Sequence, residues 1–155
     1  MENIIDPKLD GITHINIYSR GQTALGRMLS NFYKFPVYTD DGSFMSVEGY
    51  WYWLSIEDCK EKERLRDLYG FAAKKYGKEI LTYRQSRFDD DFERKILTAI
   101  WRKFKQNTHL LLPEYITLPF EHYYNFNGCI RDVKLKYSWM IDGIDKMRAY
   151  LLLEK

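Results

Sequence analysis

At 155 residues, 45% of them apolar, the chain is long enough for one domain with a real core and too short for two comfortable ones. Its 24 basic and 22 acidic side chains leave a net charge of +2, which excludes a bulk field drawing it to polyanions, so any nucleic-acid contact must be local. An aromatic content of 17% obliges Tyr and Trp to find partners for their polar ends or to line a cleft. Cys59 and Cys129 lack CxxC spacing, and His14, His109 and His122 have no His or Cys neighbours at ligand spacing, so neither a metal nor another cofactor is expected. No basic-then-apolar leader opens the sequence, and no apolar run approaches the roughly 18 residues of a membrane span. The expectation is a reduced, cytoplasmic protein (host cytoplasm if viral) without a membrane partner.

In chain order, the β-branched stretch Ile12 to Tyr18 predicts a strand. Val37-Tyr38-Thr39, Asp40-Asp41-Gly42 and Ser43-Phe44-Met45 read as a hairpin turning at the glycine. Ser46 can cap a helix running to about Asp58, which puts Glu48 in its first turn, where the helix dipole favours an ionised carboxylate. On that helix Glu48, Trp51, Tyr52 and Ser55 share one face, and Val47, Tyr50 and Leu54 another, so one face can be core and the other site. Glu61 to Tyr69 and Phe71 to Tyr76 read as two short helices closed by Gly70 and Gly77. Asp89 to Asp91 open a long amphipathic helix carrying Phe92, Ile96, Ile100 and Phe104 every fourth residue. Tyr115 to Phe120 reads as a short extended piece, and a last helix runs from about Met140 to Leu153. The expected fold is a predominantly helical α+β single domain over 1–155 with a few short strands or a hairpin.

The feature that draws a functional reading is Glu48, one acid among Phe32, Tyr33, Phe35, Tyr50, Trp51, Tyr52 and Trp53. A carboxylate held against rings suits the grip of a nucleoside whose sugar develops charge. Taken alone, such a glutamate complements the helix dipole at a surface.

Ile17-Tyr18-Ser19, Gly26, Leu29-Ser30-Asn31-Phe32, Pro36, Asp41-Gly42 and Ser46-Val47-Glu48 together resemble the signature of the NADAR (YbiA-like) superfamily. Ala73-Lys74-Lys75-Tyr76-Gly77 and Ile100-Trp101-Arg102-Lys103-Phe104-Lys105-Gln106-Asn107 are similar to later segments of the same families, so the resemblance covers nearly the whole chain. It implies an N-glycosidase acting on ADP-ribosylated guanine or on early riboflavin intermediates. Two departures stand out: Ser55 occupies the place of a basic residue seven positions after the glutamate, and Tyr52 the place of a glutamine. The family's C-terminal tryptophan segment falls on Trp139-Met140-Ile141-Asp142-Gly143, with Asn125-Phe126-Asn127-Gly128 as the rival alignment.

Breaking a ribose-to-base C–N bond builds positive charge at the anomeric carbon, and a fixed carboxylate nearby lowers that barrier. Glu48 takes this role; orienting water or a ribose hydroxyl is the alternative. Lys34 is the second catalytic candidate, replacing the missing charge or attacking the anomeric carbon as an amine, against the plainer reading of a solvated loop lysine. Asn31 can bond sugar or base edges, and Arg20 and Arg27 a diphosphate. Trp51, Tyr52 and Trp139 are stacking candidates, and the resemblance adds Ser30, Tyr18, Asp142 and Gly143 to the substrate-binding set. Asp142 reads equally well as the cap of the last helix. The expected partner is an ADP-ribose-bearing nucleobase in DNA or RNA, with reversal of ADP-ribosylation, as in repair or an anti-toxin or anti-defence role, as the setting. The alternatives are a small ribosylaminopyrimidine phosphate, a non-catalytic ADP-ribose reader, and an interaction module docking through Arg84, Arg87, Arg94 and Arg102.

Overall fold

The computed structural model describes residues 5–154. Its helices are α1 (Ala24–Leu29), α2 (Val47–Ser55), α3 (Gly70–Leu81), α4 (Phe92–Lys105) and α5 (Ser138–Leu153). Its strands are β1 (Ile15–Asn16), β2 (Val37–Thr39), β3 (Gly42–Phe44), β4 (Phe120–Glu121), β5 (Tyr123–Phe126) and β6 (Cys129–Asp132). They form three two-stranded ladders, β1 parallel to β4 and the hairpins β2–β3 and β5–β6. This is the helical α+β class expected from the sequence. Contacts gather into two compact units, one from Asn31 to Gln106 and the other from the segments up to Ser30 and from Asn107 onward.

In the Asn31–Gln106 unit, α2 is the central helix, touching α3, α4 and the 3₁₀ segment Glu61–Asp67. Val47, Tyr50 and Leu54 are buried on the face assigned to the core, and α4 buries Ile96, Ile100 and Phe104 as its period requires. The expected hairpin is present, with Val37 paired to Phe44 and Thr39 to Gly42. The α2 helix stops at Ser55 rather than near Asp58, because Ile56 turns extended and bridges to Ser86. Its terminal carbonyls are met by the buried Lys62 amine, which donates to Trp53 and Ile56 oxygens at 3.3 and 3.1 Å. This is how a helix end satisfies its orphan acceptors without a glycine cap.

Two helix ends expected at glycines are corrected. The segment from Glu61 is a 3₁₀ helix ending at Asp67, and Gly70 begins α3 instead of closing the helix before it. Gly77 lies inside α3, since a Cβ there would overlap the Tyr52 ring: the glycine is kept for close helix approach, not for a turn.

The other unit is held by polar groups as much as by its apolar core. The strand expected over Ile12 to Tyr18 shrinks to Ile15–Asn16, because the Asp10 carboxylate accepts from the Asn16 and Gln22 amides at 2.9 and 2.8 Å and folds the flanks into turns. Asn16 trades both halves of its amide with the Tyr123 backbone, each bond 3.0 Å. Helix α1, capped by Thr23, approaches the Asn16 carbonyl so closely that only glycine fits at Gly26. Tyr115 to Phe120 is not extended throughout: a Pro-initiated 3₁₀ turn covers Pro113–Tyr115, and the strand begins at Phe120. The β5–β6 hairpin was not expected. Its turn is Asn127-Gly128, both at positive φ, so the rival tryptophan-segment alignment is a tight turn.

Candidate active site

Position and environment of Glu48 follow from the start of α2. The Ser46 hydroxyl accepts from the Gly49 amide at 3.0 Å and donates to the Leu68 carbonyl at 2.8 Å, which fixes where the helix begins. The next exposed donor, the Glu48 amide, is taken by the Asn31 carbonyl at 2.9 Å. The loop bearing Asn31 and the acid are thereby one local structure.

Glu48 and Tyr52, one turn apart, lie on the face of α2 away from Val47, Tyr50 and Leu54, and the Tyr52 ring seats Gly77 of α3. On either side of Gly77 stand Lys74 and Lys78, whose charges act through space on the Glu48 carboxylate. Burial nonetheless wins over both lysines and lifts Glu48 from 4.5 to about 7. A carboxyl so placed exchanges its proton near neutral pH, against the tendency of the helix N-terminus to keep it ionised.

The positive charges acting on Glu48 come from α3. Ser55 itself is turned back on α2, donating to the Trp51 carbonyl at 2.7 Å. Trp51 meets Phe92 edge-on at 4.8 Å, while Trp53 belongs to the core, with the Lys62 amine 4.0 Å above its ring. Lys34 is exposed, its amine 5.0 Å from the Tyr69 ring. A different lysine is buried: Lys103 of α4, with 1% exposure, 6.0 Å from the Tyr33 ring. Desolvation lowers its amine from 10.5 to about 7. One loop, Asn31 to Phe35, thus supplies both the carbonyl at Glu48 and a ring facing this amine.

The remaining candidates belong to the other unit. Ser30 is the buried C-cap of α1, and Arg27 donates to the Gly21 carbonyl at 2.8 Å. Arg20 is exposed; the Tyr18 ring lies tilted 5.7 Å from that of Tyr124, and its hydroxyl donates to the Asn125 carbonyl at 3.5 Å. Trp139, Asp142 and Gly143 all lie within α5, whose N-cap is Tyr137, so Asp142 is not the cap of that helix. Asn31, Lys34, Glu48, Trp51 and Tyr52 share one unit; Tyr18, Arg20, Arg27, Ser30, Trp139, Asp142 and Gly143 share the other. Lys74, Lys78 and Lys103 were not singled out from sequence. The helical register of α3 continues through Gly77 and places Lys74 and Lys78 beside it.

His14 and His122 are structural: His14 Nε2 shares a hydrogen bond with the Tyr123 hydroxyl at 2.6 Å, and His122 Nδ1 meets the Ile17 carbonyl at 2.7 Å. Among the described residues no group of three or more His, Cys, Asp or Glu side chains could hold a metal ion, and no helix is long and apolar enough to cross a membrane.

The class of protein defined by these features is a helical α+β fold with a shielded, near-neutral carboxyl at the start of its central helix. No family model matches the sequence, and no curated protein matches it either. Among solved structures, the NMR structure of the E. coli protein YbiA superposes with a TM-score of 0.62 at 20% identity, covering 97% of this chain and 95% of that one. The chain thus has the YbiA-type fold that its sequence resemblance implied.

Proposed function

We propose that this protein is an N-glycosidase that hydrolyses a ribose-to-base C–N bond, removing ADP-ribose from modified guanine in nucleic acid. The observation that carries the reading is Glu48: a carboxyl shielded enough to be lifted to about 7, tied to the Asn31 loop, with two lysines holding its ionised form within reach. The signature residues around it and the YbiA-type fold support the same activity.

As the C–N bond lengthens, its electron pair leaves with the base nitrogen, which takes up a proton, and the anomeric carbon becomes oxocarbenium-like. Ionised Glu48 stabilises that cation and accepts a proton from the water that attacks it, so the sugar gains hydroxyl and the base gains hydrogen. Half-buried, the carboxylate acts at short range with less competition from solvent than in bulk water. A second reading rests on Lys103, whose buried amine is substantially neutral at pH 7. An uncharged amine can attack the anomeric carbon, expel the base and open the sugar to a Schiff base that water then cleaves. Lys34, exposed against Tyr69, lacks the dry surroundings that this route requires.

Incubation of wild type and Glu48→Gln with an oligonucleotide carrying ADP-ribosylated guanine, followed by mass spectrometry of the products, tests the proposal. Free ADP-ribose from wild type, with release slowed by roughly 100-fold or more in the variant, is expected. Equal release by both removes Glu48 from the mechanism. Turnover of a ribosylaminopyrimidine phosphate alone would transfer the activity to the smaller substrate. Borohydride trapping of a protein–sugar adduct, lost in Lys103→Met, would select the covalent route.

A further inference from the structure

The outer face of α3 carries a second feature, of which the glycosidase reading uses only the charges of Lys74 and Lys78. Phe71, Lys74, Lys75, Lys78, Glu79 and Thr82 line a shallow open depression of about 370 Å³. At helical spacing they form one stripe along α3, opposite the buried Ala73, Gly77 and Ile80. Phe71 is 68% exposed, and beside the helix start Tyr69 is 46% exposed with the Lys34 amine over its ring. Rings that large left in water next to three lysines and one glutamate are the pattern of a single-strand platform: cations for phosphodiesters, flat faces for unstacked bases. The overall charge of +2 makes the local concentration informative, because no general excess of lysine accounts for it.

We infer that this stripe of α3 is a docking surface for single-stranded nucleic acid, with Lys75 and Lys78 on phosphates and Phe71 under a base. Lys74 and Lys78 act on Glu48 as well, which links the strand track to the reactive carboxyl within one unit. The inference rests on the proposed nucleic-acid substrate, and it names the surface that would hold the strand flanking the modified base. A free nucleoside conjugate needs none of these contacts, so the surface distinguishes a polymer substrate from a small one.

The test is fluorescence anisotropy with a labelled, unmodified single-stranded oligonucleotide roughly a dozen nucleotides long, within the range a single platform occupies. For Lys75→Gln the slope of log affinity against log salt is expected to fall by about one; for Phe71→Ala affinity falls roughly five-fold or more with the slope unchanged. Both side chains are exposed, and circular dichroism confirms that the variants are folded. Affinity and slope equal to wild type in both variants would overturn the inference, as would binding to anionic vesicles in place of the strand. The probe carries no ADP-ribose and is not turned over. Strand binding that responds to these variants without hydrolysis of modified guanine would leave the surface standing and sink the glycosidase reading; hydrolysis indifferent to both would do the reverse.

Discussion

The polar interior of the Asn31–Gln106 unit and that of its companion unit obey opposite rules. Around Asn16, every buried polar group is answered locally: Asp10 accepts two amides, Asn16 pairs twice with Tyr123, and His14 meets the Tyr123 hydroxyl, all within 2.6 to 3.0 Å. Around Glu48 the charges are held apart. The lysines act through space, and the carboxyl and the Lys103 amine are both moved to about 7 from opposite directions. Satisfied groups fix a backbone register; groups whose proton is loosely held near neutral pH can exchange it with a substrate.

That contrast is broken most directly by activity. Glu48→Gln is expected to slow release of ADP-ribose by roughly 100-fold or more, whereas Tyr123→Phe, which breaks the bond to His14, leaves the shape of the pH–rate profile unchanged. Steady-state kinetics across pH 5 to 9 check both. Loss of turnover in Tyr123→Phe with an altered profile would put chemistry in the wrong unit.

Stability comes next, and the two sites differ in sign. Below pH 4.5 Glu48 is protonated in the folded and the unfolded chain and costs nothing; as pH rises toward 7 the unfolded chain ionises first, and the fold loses about 3 kcal/mol. Glu48→Gln therefore stabilises the protein by about that amount at pH 8 and not at pH 4, as urea midpoints would register. Tyr123→Phe leaves a buried histidine nitrogen without its partner and destabilises by about 1 to 3 kcal/mol at both pH values. A Glu48→Gln variant that is equally destabilised at pH 4 and pH 8 would mark the glutamate as structural.

Lys103 sharpens the comparison with the opposite slope. Its amine is depressed, so the fold binds fewer protons than the unfolded chain between pH 7 and 10.5, and stability climbs with pH across that window. In Lys103→Met the climb disappears, a difference read from denaturation midpoints at pH 7 and pH 10. An effect of the same size as that of Tyr123→Phe belongs to Gly77→Ala: the added methyl group forces Tyr52 to shift and costs about 1 to 3 kcal/mol. Turnover falls with it, since Tyr52 shares its helix face with Glu48.

How much of this was legible beforehand depended on whether the signal was local. The Val37 to Phe44 hairpin, the Ser46 cap and the α4 face are written in residues a few positions apart, and all three are present. The Asn31–Glu48 link was not legible, because a backbone bond across 17 positions leaves no periodic trace. Gly77 misled because glycine serves helix ends and close helix contacts alike, and the Tyr52 ring that decides the matter lies on another helix; Gly70 has the left-handed φ expected of it, at +59°, but opens α3. The Asn127-Gly128 turn carries a hairpin signal that its likeness to the family motif obscures. The influence of Lys74 and Lys78 on Glu48 was beyond local reading, because it exists only once α2 and α3 are packed.

The most direct test of the account is carbon-13 NMR titration of the Glu48 side-chain carboxyl in the wild-type protein and in Lys74→Met. A midpoint near 7, moved upward in Lys74→Met because a charge favouring the carboxylate is gone, is the predicted result. A midpoint near the ordinary 4.5, unmoved by the loss of Lys74, would contradict it.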